Sequence, residues 1–98
     1  MEDVPMIDQI LAEREKTHGT FEMHAKITQE LKAVMYGAAK FGGNARMLSP
    51  TQAEALDMIA HKIGRILAGD PNHIDHWIDI AGYATLVAKE LESHGKKD

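Results

Sequence analysis

Four carboxylates in the C-terminal half of the chain are spaced as metal ligands on helices. Glu54 and Asp57 are three residues apart, and Asp75 and Asp79 are four apart. Residues at these separations lie on the same face of an α-helix. Because Mg²⁺ prefers carboxylate oxygens, these four side chains are candidate ligands of a magnesium ion.

Asp79 has a second interpretation that needs no metal. It lies beside Ile78 and Gly82, opposite an apolar stripe that begins at Trp77, so both sides of this helix are expected to be covered. A carboxylate near a covered surface needs a cation, hydrogen bonds or a metal ion. The alternative to Mg²⁺ is an ion pair with one of three basic residues, which are Arg14, Lys62 and Arg65.

The segment EREKTHGTF contains a candidate phosphate site. Arg14, Lys16 and His18 precede Gly19, and a helix is predicted to begin directly after this glycine. Cationic side chains beside the free N–H groups of a helix N-terminus suit a phosphate group. In the alternative interpretation Gly19 only turns the chain, and the charged side chains are solvated.

A polar stripe also runs along the predicted third helix. Glu54, Asp57, His61 and Arg65 are spaced by three, four and four residues, opposite the aliphatic stripe, and Lys62 lies at the boundary. Such a stripe is either a solvated face with i,i+4 pairs or, if another element or subunit covers it, one wall of a binding site.

These residues must be positioned by helices, because apolar residues recur with helical period and no strand alternation is present. The pattern predicts one all-α domain over residues 1–98, with a frayed tail at about 94–98. The predicted helices span about Pro5 to Lys16, Phe21 to Ala39, Pro50 to Leu67 and 71 to 93. Four helices with short connections predict a small four-helix bundle.

Local signals mark the helix ends. Gly19 suits a left-handed cap, and Thr20 can cap the second helix. Ser49 and Gln52, with a proline between them at position 50, predict a capping box for the third helix. Asp70 is expected to cap the fourth helix from residue 71.

Composition limits the classes of function. The chain has 98 residues, 44% of them apolar, no cysteine and a formal charge of −4 with scattered basic residues. The charge argues against nucleic acid as the main partner, and the lack of cysteine excludes disulfides and thiol chemistry. No apolar run is long enough for a membrane span or signal peptide, which predicts a cytoplasmic protein, in the host cytoplasm if it is viral.

Self-association is expected to complete the fold. A chain of this size buries a modest core, and a helix that is apolar on both sides needs cover on both sides. Gly82 costs about 1 kcal/mol relative to alanine in a helix interior, so a neighbouring helix, a second copy of the chain or a ligand is expected to approach closely there. The sequence therefore predicts a homo-oligomer.

Three segments together carry a resemblance: REKTHGTF, LSPTQAEALDMIAHKIGRILAGDP and DHWIDIAGYATLVAKEL. They resemble a family of small, mostly bacteriophage-encoded all-α proteins that is distantly similar to the MazG-like nucleotide pyrophosphohydrolases. Those enzymes hold Mg²⁺ with a Glu-x-x-Glu pair and a Glu-x-x-Asp pair. Here Glu54 and Asp57 can stand for the first pair and Asp79 for the last aspartate, whereas His76 occupies the position of the preceding glutamate, for which Asp75 can substitute.

Three functions follow as hypotheses. In the first, the protein is a Mg²⁺-dependent nucleoside triphosphate pyrophosphohydrolase, whose metal is held by the four carboxylates. In the second, it is a non-catalytic sponge that sequesters a nucleotide-derived immune signal of the host. In the third, it is a purely structural oligomeric interaction protein. The residues expected at a nucleotide are Arg14, Lys16, His18, Gly19, His61, Lys62 and Arg65, with Trp77 or Tyr83 stacking on a base.

Overall fold

The computed structural model of the protein describes residues 3–37, 40 and 42–95. Four α-helices follow one another: α1 (Asp3–His18), α2 (Phe21–Gly37), α3 (Pro50–Ala68) and α4 (Ile74–Gly95). A short 3₁₀ turn at Ala45–Met47 precedes α3. Because the described residues contain no strand, the predicted all-α class and its four helices are confirmed.

The predicted caps of α2 and α3 are present. Gly19 adopts the left-handed conformation with a φ of 76°, and the Met23 N–H donates to the Thr20 hydroxyl at 3.2 Å. The Gln52 N–H donates to the Ser49 hydroxyl at 3.1 Å, and the Ser49 N–H donates to the Gln52 side chain at 2.9 Å. Both reciprocal bonds of a capping box are therefore formed.

The predicted start of the fourth helix was wrong by three residues. Instead of capping a helix at residue 71, the Asp70 carboxylate accepts a hydrogen bond from the Asn72 N–H at 2.9 Å, and the His73 N–H donates to the Asp70 carbonyl at 3.2 Å. These bonds form a turn, so α4 begins only at Ile74. Residues 94 and 95 belong to α4, while residues 38, 39 and 96–98 lie outside the described part of the chain.

Two turns pack against each other at one end of the molecule, and we call this contact the turn clasp. The Thr17 carbonyl accepts hydrogen bonds from the Asp70 N–H at 3.0 Å and from the His76 ring at 3.1 Å. A Cβ atom at Gly19 would overlap the backbone of Ala68, and one at Gly69 would overlap the Thr17 carbonyl. The clasp therefore requires glycine on both sides and fixes the end of α1 against the start of α4.

Helix α3 is central, with α2 and α4 packed against it and α1 making slighter contacts with α2 and α3. Among the described residues the buried apolar side chains are Ala55, Ala60 and Ile66, whereas the buried polar residues are His24, Thr28, Lys62 and His76. Helices α2 and α3 approach closely at Gly64, where a Cβ atom would contact the side chains of Thr28 and His24. The interior is therefore small and unusually polar.

Many large apolar side chains are exposed. On α4, Ile80 and Val87 are half-buried, but Trp77 and Leu91 of the same predicted stripe are exposed. The single chain covers only one side of α4, since Ile78 is 56% and Leu86 63% exposed, and cover of the other side by a second copy or a ligand stays a prediction. The radius of gyration is 16.9 Å, against about 13 Å for a compact chain of this length. The four helices therefore form a loosely packed bundle.

No helix in the described part of the chain is long and apolar enough to cross a membrane.

Candidate functional site

A cavity of about 290 Å³ lies where the end of α1, the start of α2 and one side of α3 meet. It collects five residues that the sequence analysis assigned to a phosphate or nucleotide. They are Arg14, His18, Gly19, His61 and Arg65. The turn clasp is responsible for this convergence, because it fixes His18 and Gly19 beside the C-terminal half of α3.

Two arginines give the cavity its charge. Arg14 comes from α1 and Arg65 from α3, and both line the same space. Burial lowers the pKa of the Arg65 guanidinium, and the positive charge of Arg14 lowers it further. Guanidinium groups remain charged in proteins, so two like charges are held close together here. Glu15 is the one carboxylate among the lining residues that are described, so positive charge is in excess in the cavity.

A pair of histidines, His24 and His61, also lines the cavity. The ring nitrogens His24 Nε2 and His61 Nδ1 are 3.1 Å apart, with the rings edge to face. His24 is buried, and its Nδ1 has no hydrogen-bond partner in the described structure. An orphaned acceptor is more common than an orphaned N–H donor, so the favoured tautomer of His24 carries its proton on Nε2 and donates it to His61. His61 then carries its own proton on Nε2, where it can donate to a ligand.

The histidines of the cavity are neutral near pH 7. Burial, followed by the charge of Arg65, lowers the pKa of both His18 and His61 to about 4. The same two causes lower the pKa of His24. The positive charge in the cavity therefore comes from the arginines, while the histidines offer neutral hydrogen-bonding groups.

His18 is held by its neighbours in the turn clasp. Its Nδ1 lies 2.6 Å from the Thr17 hydroxyl, and its ring packs edge-on against the ring of His76 at 5.0 Å between centroids. His76 is 2% exposed and donates from Nε2 to the Thr17 carbonyl at 3.1 Å. His76 is thus a positioning residue that supports both His18 and the clasp.

Asp79 pairs with one of the three cations that the sequence proposed. Its carboxylate lies 2.8 Å from Lys62 Nζ, and the hydrogen bond from this buried lysine lowers the pKa of Asp79. The charge of Arg65 also attracts it. The expected cation is therefore present, while the side chain of Asp79 is only partly shielded in the single chain, at 43% exposure.

The predicted magnesium ligands do not share one location. Asp57 accepts a hydrogen bond from the Tyr36 hydroxyl, and Asp75 lies on the surface 3.7 Å from His73. Asp79 forms an ion pair with Lys62, and Glu54 is exposed. Within residues 3–37, 40 and 42–95, no three His, Asp or Glu side chains converge as a metal site would require. In the single chain these residues do not fit Mg²⁺, and the metal stays a prediction.

Several predicted nucleotide contacts lie outside the cavity. Lys16 is exposed on the surface, and the indole N–H of Trp77 donates to the Pro71 carbonyl at 2.8 Å. Tyr83 is half-buried on α4 and does not line the cavity. Lys62 is buried and paired with Asp79, and it does not line the cavity.

The cavity also contains residues that the sequence analysis did not assign. Phe21 and Leu11 form an apolar part of its wall, and His24 is a further lining residue. The available signal was the position of Phe21 and His24 in the first turn of α2, directly after the assigned Gly19. Their spacing of three places them on one helix face, which the sequence analysis did not connect to the upstream cations.

Comparison with known proteins gives a family but no activity. No curated protein and no solved structure matches the chain. Residues 6–91 match a family model described as a domain of unknown function, DUF6378. This range includes all four helices in large part and every residue of the cavity named above. The chain therefore belongs to the DUF6378 family.

Proposed function

We propose that the cavity binds the phosphate of a nucleotide or nucleotide-derived molecule, with Arg14 and Arg65 as the principal contacts. The observation that supports this proposal is the excess of positive charge in a partly buried space. Two guanidinium groups line the cavity with one carboxylate, and their mutual repulsion is relieved when an anion enters. A phosphate accepts paired hydrogen bonds from guanidinium groups and, with more acceptor oxygens than a carboxylate, can be contacted by both arginines at once.

The other walls suit the rest of such a ligand. Gly19 brings the backbone at the start of α2 to the cavity, where helix N–H groups favour a negative charge. Phe21 offers an aromatic ring, and Leu11 an aliphatic surface, for a base. The volume of about 290 Å³ is at the small end of the range of ligand pockets, which favours one nucleotide unit.

Isothermal titration calorimetry tests this proposal directly. AMP, ADP and ATP are titrated into the protein, with adenosine as the ligand that lacks phosphate. We expect the nucleotides to bind and adenosine to bind at least about tenfold more weakly, because one charge-assisted hydrogen bond contributes about 1.5–3 kcal/mol. Absence of binding for every phosphorylated ligand at millimolar concentration contradicts the proposal.

Matched arginine variants locate the binding. Arg14→Gln and Arg65→Gln are each expected to weaken nucleotide binding about tenfold or more, by the same magnitude of a charge-assisted contact. Arg46→Gln is the control, because Arg46 is exposed in the 3₁₀ turn and does not line the cavity. Equal losses in all three variants would assign binding to overall charge instead of to this cavity.

Sequestration is the form of this function that the geometry favours over hydrolysis. The cavity offers cations and neutral histidines, whereas the carboxylates proposed for metal are separated or paired. Incubation with Mg²⁺ and a pool of nucleoside triphosphates and cyclic dinucleotides, followed by mass spectrometry, separates the two. Recovery of an unaltered ligand supports a sponge, while appearance of nucleoside monophosphate and pyrophosphate, lost in Asp79→Asn, supports the pyrophosphohydrolase.

The proposed function also includes the predicted association of the chain with copies of itself. Its support is the set of large apolar side chains that the single chain leaves exposed on all four helices. A second copy that covers the polar side of α3 could also bring Glu54 and Asp57 closer to other charged groups. The purely structural hypothesis needs this self-association without any ligand, and the calorimetric experiment distinguishes it.

A further inference from the structure

One face of α4 points away from α3 and has no partner in the described chain. We call it the outer face of α4 and define it by five exposed residues, which are Ile74, Ile78, Ala81, Thr85 and Ala88. Their separations alternate between four and three, which is the 3.5-residue spacing of a coiled-coil seam. Helix α4 packs against α3 through its other side, which includes the buried His76 and the half-buried Ile80 and Val87.

From this arrangement we propose that the outer face of α4 packs against the same face of a second copy of the chain, with the two helices antiparallel. The inference is independent of the ligand, because α4 contributes no residue to the cavity. It identifies the surface through which the chain self-associates and the direction of the pairing.

The residues of the outer face allow a close helix pair. Ala81 and Ala88 are small, and the Thr85 hydroxyl donates to the Ala81 carbonyl at 2.7 Å, so it needs no further partner. Ile74 and Ile78 supply large side chains at one end of the seam. In an antiparallel pair that end lies over the alanine end of the other copy, so that large side chains meet small ones.

Two charged residues indicate the antiparallel direction. Asp75 and Lys89 are both exposed and lie fourteen residues, or two heptads, apart on the same flank of the seam. In an antiparallel pair this flank of one copy faces the same flank of the other copy. Asp75 of each copy then lies near Lys89 of the other. In a parallel pair the same two charges would face the flank that contains Trp77, Ala84 and Leu91.

The available surface is enough for a dimer. Helix α4 has 22 residues, which is about 33 Å of helix with a width of about 11 Å. Half of the surface of such a cylinder, the most that one copy can bury, is roughly 570 Å². Two copies then bury at most roughly 1,140 Å², just above the roughly 1,000 Å² of the smallest specific interfaces. We therefore expect a dimer that dissociates in the micromolar range.

Sedimentation equilibrium over about 1 to 200 µM tests the inference on the full chain. Ala81→Glu is expected to weaken dimerisation at least about fiftyfold, since it buries an unpaired charge in the centre of the seam. Met47→Glu is the control, because Met47 is also apolar and exposed but lies in the 3₁₀ turn, and it should not alter the dissociation constant. Circular dichroism verifies that each variant keeps its helix content.

Charge exchange tests the direction. Asp75→Lys and Lys89→Asp each place like charges together at two symmetric positions, so each is expected to weaken the dimer about tenfold. The double variant restores both pairs and should return to within about threefold of the original chain. A chain that is monomeric throughout the concentration range, a dimer insensitive to Ala81→Glu, or a double variant no tighter than the single ones would overturn the inference.

Discussion

Most surface helices bury an apolar side and expose a polar one. Helix α4 departs from this pattern, because polar groups lie toward α3 and large apolar side chains lie toward solvent. The side toward α3 holds polar groups, including buried His76 and the Asp79 carboxylate bound to Lys62. The side toward solvent holds Ile74 and Ile78. His76 and Asp79 each have a specific partner within the chain, whereas Ile74 and Ile78 are exposed.

This difference indicates that the two sides of α4 have different roles. Polar groups in an interior cost free energy unless they are bonded, so their presence beside α3 reflects a need for a particular geometry, which here holds His18 and Arg65 around the cavity. Apolar groups on the surface are stabilised only when another body covers them. The inner side of α4 supports a site, and the outer side supports an assembly.

The largest effect that separates the two regions is expected from deleting apolar side chains. Ile66 is 8% exposed and belongs to a very small core, so Ile66→Ala should lower the free energy of unfolding by about 2–4 kcal/mol. Leu86→Ala is the matched deletion on the solvent side of α4 and should change it by less than about 0.5 kcal/mol.

Urea denaturation of dilute protein measures both values. Dilution keeps the chain monomeric, so that an interface does not contribute. If Leu86→Ala lowers the free energy of unfolding as much as Ile66→Ala does, another part of the same chain covers this side of α4. The contrast between the two sides would then be incorrect.

Two glycines within helices provide a second, smaller contrast. At Gly64 a Cβ atom would contact Thr28 and the His24 ring, so Gly64→Ala should destabilise the fold by about 1–3 kcal/mol. At Gly82 nothing described lies within 4 Å, so Gly82→Ala should stabilise the monomer by up to about 1 kcal/mol through helix propensity.

Thermal unfolding at low protein concentration measures the pair. The expected result is a decrease in Tm for Gly64→Ala and an increase for Gly82→Ala. If both variants shift Tm in the same direction, the close approach of α2 and α3 at Gly64 is not the reason for that glycine.

The sequence predicted those features of the fold that depend on neighbouring residues. The Ser49 capping box and the left-handed Gly19 need only local hydrogen bonds and local backbone conformation, and both are present. Asp70 shows the limit of such reasoning, since the same side chain can cap a helix or close a turn. Here the Asp70 carboxylate closes the turn, and the Asp70 N–H donates to the Thr17 carbonyl.

Features that depend on distant residues were less predictable. The cations near Gly19 come together with Arg65 because the turn clasp joins residues more than fifty positions apart. Asp57 meets Tyr36 rather than the other carboxylates, and no spacing in the sequence indicates that contact. For α4 the helical period identified two apolar sides but could not tell which one α3 covers. The side that α3 covers carries Asp79 and His76, whose partners Lys62 and Thr17 are distant in the sequence.

The smallest expected effect is a dependence of stability on pH that arises on the inner side alone. His18 and His61 have a pKa of about 4 in the folded protein, against about 6.5 in an unfolded chain. Between these values the unfolded state binds more protons than the folded state, so stability rises with pH. Their contribution is complete above about pH 6.5 and is lost as the pH falls toward 4. Because both rings are partly solvated, the effect is expected to be smaller than those of the core and glycine variants.

Urea denaturation between pH 7 and pH 4.5 measures this dependence, with His61→Gln as the comparison. The variant keeps a neutral hydrogen-bonding side chain but cannot titrate, so its stability should fall less steeply than that of the original chain. Asp79 does not interfere, because its lowered pKa moves its contribution to pH values below 3.8. Parallel slopes for the two proteins would show that His61 is protonated as readily in the folded chain as in water, which would remove the neutral His24–His61 pair from the cavity.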